Sequence, residues 1–221
     1  MNPTTLNRTR RVVGTALAAA TLAAALSACA PLIVGGAVVG GVMAVDRRTA
    51  GTQIEDEGIE LRAANRIREA LGDRAHVNVT SYNRQALLTG EVATAQDRQA
   101  VEQMVSQVEN VRSVVNDLAV MPPSTLSQRS TDTFITGKVR ASLVDAQDIS
   151  ANSFKVVTER NTVYLMGRVS QREANRATDI ARGVTDVRKV VRVFEIVSEE
   201  ELRRIAPQPA PVTTDTKPAG G

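Results

Sequence analysis

Aromatic side chains make up only 2% of the chain, and tryptophan is absent. Any core must therefore be built from Val, Leu, Ile and Ala, which suits small sheet-on-helix units rather than a deep aromatic pocket. Cys29 is the one cysteine, so no intramolecular disulfide can form. His76 is the one histidine, and no His/Cys cluster stands at metal-ligand spacing. Acid–base or nucleophilic catalysis needs paired, mutually tuned groups. His76 stands at the entrance to a strand with no motif around it and reads as an ordinary surface residue. Asp145 and Asp148 imitate a carboxylate pair but fall on a polar helix end and the loop after it. The expectation is a protein without catalytic residues, cofactor, metal or small-molecule substrate.

The formal charge of +3 suggests nucleic acid at first sight, but it resides in one segment. Residues 1–28 hold Arg8, Arg10 and Arg11 and no acid, and the remainder balances 24 basic against 24 acidic side chains. Basic surfaces that track phosphates interleave cations with aromatic rings, and nothing here does. Nucleic acid is not an expected partner.

The N-terminus has the form of an export signal. A basic stretch ending at Arg11 precedes an apolar run from Val12 to Leu26, too short to span a bilayer comfortably. The run closes on Leu26-Ser27-Ala28-Cys29, which resembles the lipobox of bacterial lipoproteins, in which the Cys becomes the acylated N-terminus. The resemblance implies a signal peptide over 1–28 and lipidation on Cys29. Ala30 and Pro31 follow rather than Asp, which by the sorting rule of enteric bacteria implies the outer membrane, facing the periplasm. Each buried acyl CH₂ contributes about 0.8 kcal/mol, so several chains anchor durably where one does not. The Gly-rich apolar residues 32–45 are too short and too rich in glycine for a spanning helix. They are read either as lying against the membrane or as a flexible tether, within a lipidated segment over 29–53.

The rest of the chain repeats itself. Ala63, Ile67 and Leu71 on one helix match Ile135, Val139 and Leu143 on another, at the i, i+4, i+8 spacing of a buried stripe. Strand pairs follow, sharing Leu-x-Gly-x-Val at Leu88–Val92 and Leu165–Val169. A second helix and a closing strand complete each copy. Those strands share Val-Arg-x-Val-Val, at Val111–Val115 and Val187–Val191. Each copy thus reads α-β-β-α-β: an α+β fold with a three-stranded mixed sheet and two helices on one face, over 54–122 and 128–199. The linker between them is short and stiffened by Pro122 and Pro123. The tail over 206–221, rich in Pro, Thr and Gly, is expected to be disordered.

These strand motifs resemble the landmarks of BON domains, a family named for bacterial envelope and osmotic-stress proteins. With the lipobox, the Gly-rich segment and Asp46-Arg47-Arg48, the chain is similar to lipoproteins carrying two such domains. The resemblance implies a non-catalytic outer-membrane lipoprotein that supports envelope integrity. It also implies that the first helix of the second domain binds anionic phospholipid, with an early aromatic residue at the lipid. The matching position is Phe134, where some relatives have Trp, and Thr133, Gly137, Lys138 and Ala141 surround it.

The residues themselves lend this some support. Matching the two helix stripes as above sets Phe134 opposite Arg62, and Lys138 opposite Arg66, in a first copy whose corresponding face is charged. Charge also differs: residues 46–122 carry a net −3 and residues 129–197 a net +4. Arg172, Arg176, Lys189 and Arg192 read as a solvated face. Two further readings of Phe134 stay open: packing against the first domain, or contact with another protein. The competing function is a periplasmic adaptor for outer-membrane assembly or cell-wall remodelling proteins, acting through exposed sheet edges.

Overall fold

The structure, a computed structural model, describes residues 46–205. Cys29, the 1–28 signal and the 206–221 tail lie outside the described residues. The first repeat opens with helix α1 (Ala50–Leu71), followed by strands β1 (His76–Tyr82) and β2 (Gln85–Val92), helix α2 (Ala95–Ser106) and strands β3 (Ser113–Asn116) and β4 (Ala119–Val120). The second has helix α3 (Leu126–Asp145), strands β5 (Lys155–Glu159) and β6 (Thr162–Val169), helix α4 (Gln171–Arg182), strand β7 (Lys189–Ile196) and a last short helix, α5 (Glu199–Ile205). The α-β-β-α-β order holds in both. In the first copy the closing strand is interrupted at Asp117 and Leu118, so two short pieces pair with β2 where β7 runs unbroken beside β6. In each sheet the hairpin pair is antiparallel and the closing strand parallel, hence mixed. Among the described residues no helix is long and apolar enough to cross a membrane.

Local chemistry accounts for these boundaries. Thr49 caps α1 by accepting the Thr52 N–H, four residues ahead of the tether boundary expected at 53/54. Thr125 and Gln128 form a reciprocal capping box at the start of α3, as Ser170 and Glu173 do for α4. Both hairpins turn on two residues with positive φ, Asn83-Arg84 and Arg160-Asn161, the backbone twist that two-residue hairpins favour. Neither turn contains glycine, and each is held by a buried aspartate on the preceding helix. Asp56 accepts the N–H groups of Asn83 and Arg84, both at 2.8 Å. Asp132 does the same for Arg160 and Asn161, also at 2.8 Å.

This shared device fixes how the repeats superpose. Asp56 matches Asp132, so Ile59, Ala63 and Ile67 match Ile135, Val139 and Leu143. The expected alignment is one helical turn out of register: Phe134 stands opposite Gly58, not Arg62, and Lys138 opposite Arg62. Hydrogen bonding agrees, since Arg62 donates to the Glu109 carbonyl as Lys138 donates to that of Thr185. The first copy is also not wholly charged on this face, because Leu61 is exposed there.

The glycine of Leu-x-Gly-x-Val has a steric cause. A Cβ on Gly90 would stand 2.0 Å from the His76 carbonyl oxygen, and one on Gly167 2.4 Å from that of Ser153. Only glycine admits so close a backbone approach.

Each domain buries its helices against one sheet face, with Ile59, Ala63, Leu88 and Val101 central in the first core and Ile135, Val139, Leu165 and Ala177 in the second. The other faces are not solvated. Tyr82 and Leu87 from the first sheet meet Tyr164, Met166 and Val193 from the second in a third core. Polar contacts border this seam: the Tyr164 hydroxyl donates to Asp117 at 2.7 Å, Lys155 pairs with Glu60 at 2.6 Å, and Asn83 and Arg112 both reach Glu195. The chain ahead of α1 joins in. Arg48 pairs with Asp56 and lies over the Tyr82 ring, while Arg47 pairs with Glu173 and donates to the Arg168 carbonyl.

Candidate membrane-contact face

Helix α3 buries Asp132, Ile135, Val139 and Leu143 and turns its opposite side outward. Thr133, Phe134, Gly137 and Ala141 are exposed, and Lys138 is half-buried. Phe134 keeps 68% of its surface and takes no part in the seam between the domains, so interdomain packing does not describe it. Burying a phenylalanine contributes about 1.5–3 kcal/mol, which this side chain forgoes in the isolated fold.

On the outward side of α3, Phe134 is flanked by the small residues Thr133, Gly137 and Ala141 and by Lys138. A Cβ on Gly137 would meet nothing within 4 Å, so the fold does not need glycine there, although in a helix interior it costs roughly 0.5–1 kcal/mol against alanine. Thr133 spends its hydroxyl on the Arg129 carbonyl at 3.0 Å. The Lys138 ammonium lies 5.1 Å from the Phe134 ring centroid, within cation–π range. It is not a free charge, for it also pairs with Asp186 at 2.8 Å.

Val144, which sequence reasoning missed, belongs to the same strip and keeps 67% of its surface. Phe134, Gly137, Ala141 and Val144 recur at the i, i+3, i+7, i+10 spacing of one helix face, a pattern legible in the sequence itself. Asp46, the first described residue, lines a cleft with Arg140 and Val144 of that helix. Beside Phe134, α3 and α4 border an open groove lined by Lys138, Ala141, Arg176, Ile180 and Val184. Of the residues read as a solvated basic face, Arg172 and Arg176 are both bonded to Asp148, and Lys189 and Arg192 are exposed.

His76 departs from expectation. It is half-buried, and its Nδ1 lies 3.0 Å from Glu91, which has no exposed surface. Glu159, from the other domain, is buried beside them. Burial would raise the Glu91 carboxyl, but the Ser124 N–H, Arg160 and His76 outweigh it and hold it below the usual range. For Glu159 burial prevails, and its carboxyl is pushed up despite the bond from Asn78.

Sequence comparison gives this architecture a family. The BON domain model matches residues 59–122 and 131–198, the two repeats. The chain is 35% identical over 172 residues to the "Outer membrane lipoprotein DolP" of Haemophilus influenzae, covering 77% of this chain and 89% of that protein. It is 34% identical over 155 residues to the "21 kDa hemolysin" of Actinobacillus pleuropneumoniae, covering 69% of this chain and 80% of that one. A solved structure of CdsD, a type III secretion protein of Chlamydia trachomatis, aligns at 14% identity over 71% of this chain and 99% of its own, with a TM-score of 0.26, too low to bear on the fold. With both repeats matched, this outer-membrane chain belongs to the BON domain family.

Proposed function

We propose that the chain is a non-enzymatic envelope protein, anchored through lipid on Cys29, that supports outer-membrane integrity by binding anionic phospholipid along helix α3. The observation that carries this reading is the 68% exposed Phe134, with Lys138 over its ring and exposed Val144 further along the strip. A wedge of this kind contributes a few kcal/mol on insertion, and each cation near anionic headgroups adds about 1 kcal/mol. Lys138 gains a headgroup at the expense of its pairing with Asp186, so its net contribution falls below that figure. The site is weak by itself. The lipid anchor overcomes this by holding the domain at high effective concentration over the membrane, and Asp46, 17 residues after Cys29, lies beside the same helix. The groove next to Phe134 offers a headgroup the Lys138 and Arg176 side chains.

Vesicle co-sedimentation tests the reading. The unlipidated chain (Cys29→Ser) is expected to pellet with phosphatidylglycerol vesicles and not with phosphatidylcholine, and less as salt rises. Phe134→Ala and Lys138→Glu should each reduce the pelleted fraction severalfold. Failure to pellet with any vesicle, combined with retention of an envelope protein by the same chain, favours the adaptor reading instead.

A further inference from the structure

His76 and Glu91 come from the antiparallel pair β1 and β2, while Glu159 ends β5 in the other domain. The three residues offer one ligand atom each, all within 4.8 Å of one another. From this convergence of an imidazole and two carboxylates across the domain boundary, we propose a binding site for a divalent transition-metal ion, Zn²⁺ being the best fit. The proposal is independent of the lipid reading.

The donor set selects the metal class. Ca²⁺ and Mg²⁺ take oxygen ligands in larger number, whereas one nitrogen with two oxygens suits a small tetrahedral ion, water completing the shell. Ligands on one zinc stand roughly 3.3 Å apart, given metal–ligand distances of about 2.0–2.1 Å. The 3.0 Å between His76 Nδ1 and Glu91 Oε2 is already close to that, and small side-chain movements bring Glu159 in.

The outer groups hold the ligands in place. Arg160 takes the other oxygen of Glu91 at 2.9 Å, the Ser124 N–H donates to Glu91 at 3.0 Å, and Asn78 donates to Glu159 at 2.9 Å. Ligating carboxylates are commonly oriented in this way. With a neutral imidazole, two carboxylates and one guanidinium leave a net charge of −1, which favours a dication. An entry path exists, because His76 and Glu159 line an open cleft with Asn78, Arg129 and Thr136. A bound ion would add a further link between the first domain and the second, beside the Arg160–Glu91 and Asn78–Glu159 contacts.

The test uses the full chain purified in detergent without a histidine tag, and with Cys29→Ser so that no thiol competes. Zn²⁺ alone is titrated by calorimetry, in thermal unfolding and by NMR of the imidazole; His76 is the chain's one histidine, so its ring signals need no assignment. The expected result is one ion per chain, a raised unfolding midpoint and displaced His76 ring signals. Glu159→Gln and His76→Gln should each weaken binding at least tenfold, while Glu57→Gln, an exposed carboxylate elsewhere, should not. An unmoved His76 ring at saturating Zn²⁺ overturns the proposal whether or not the variants fold, as does undiminished affinity in a folded Glu159→Gln chain.

Discussion

Arg47 and Glu173 form a two-pronged ion pair at 2.7 and 2.8 Å, although 126 positions separate them in the chain. Both side chains are largely buried. Through this pair the segment ahead of α1 is fixed to the second domain, while Arg48 beside it is fixed to the first. Removing one partner of such a pair strands a charge that has already lost its water. Arg47→Ala should therefore cost about 3 kcal/mol of unfolding free energy, read as a lower urea midpoint. Arg66→Ala, at an exposed position, should cost well under 1 kcal/mol.

Acid should loosen the fold. Burial alone would raise Asp56, Glu173 and Glu195, but hydrogen bonds and cations override it and hold all three below their ordinary values of 3.8, 4.5 and 4.5. A depressed carboxyl stabilises the fold above its unfolded pKa, and that contribution is lost as pH falls through the folded one. Stability to urea should then drop steeply as pH falls below about 4. Asp56→Asn should start lower at neutral pH and lose less on acidification. Glu159, pushed up by burial, works in the opposite direction but above its ordinary value of 4.5, so it does not offset the loss below about 4.

Three glycines should respond differently to alanine. Gly90 and Gly167 each have a carbonyl oxygen where the methyl would go, so Gly90→Ala and Gly167→Ala should each cost about 3 kcal/mol or prevent folding. Gly137 has open space, so Gly137→Ala should raise stability by roughly 0.5–1 kcal/mol. Thermal unfolding of the three variants side by side checks both directions.

The division into elements was legible because strand alternation, helix spacing and the Leu-x-Gly-x-Val and Val-Arg-x-Val-Val motifs all agree on it. The helix register was not. Apolar residues at i, i+4, i+8 match equally well after a slip of one turn, and what breaks the tie is a buried polar residue, Asp56 against Asp132. The packing of sheet on sheet was also hidden, since Tyr82, Leu87 and Tyr164 alternate with core residues as solvent-facing positions would. Nor could spacing bring His76 to Glu159, because they meet only when the domains close on each other. Phe134 is exposed, and Val144 lies on the outward side of α3, opposite the inward stripe of Ile135, Val139 and Leu143 that the spacing already shows.

The central claim is that α3 meets anionic lipid, and amide NMR of the unlipidated chain with phosphatidylglycerol vesicles tests it most directly. The account predicts shifted or broadened signals concentrated at Thr133, Phe134, Gly137, Ala141 and Val144, with phosphatidylcholine leaving them unchanged. Undisturbed α3 signals at lipid concentrations that perturb another surface of the protein would contradict it.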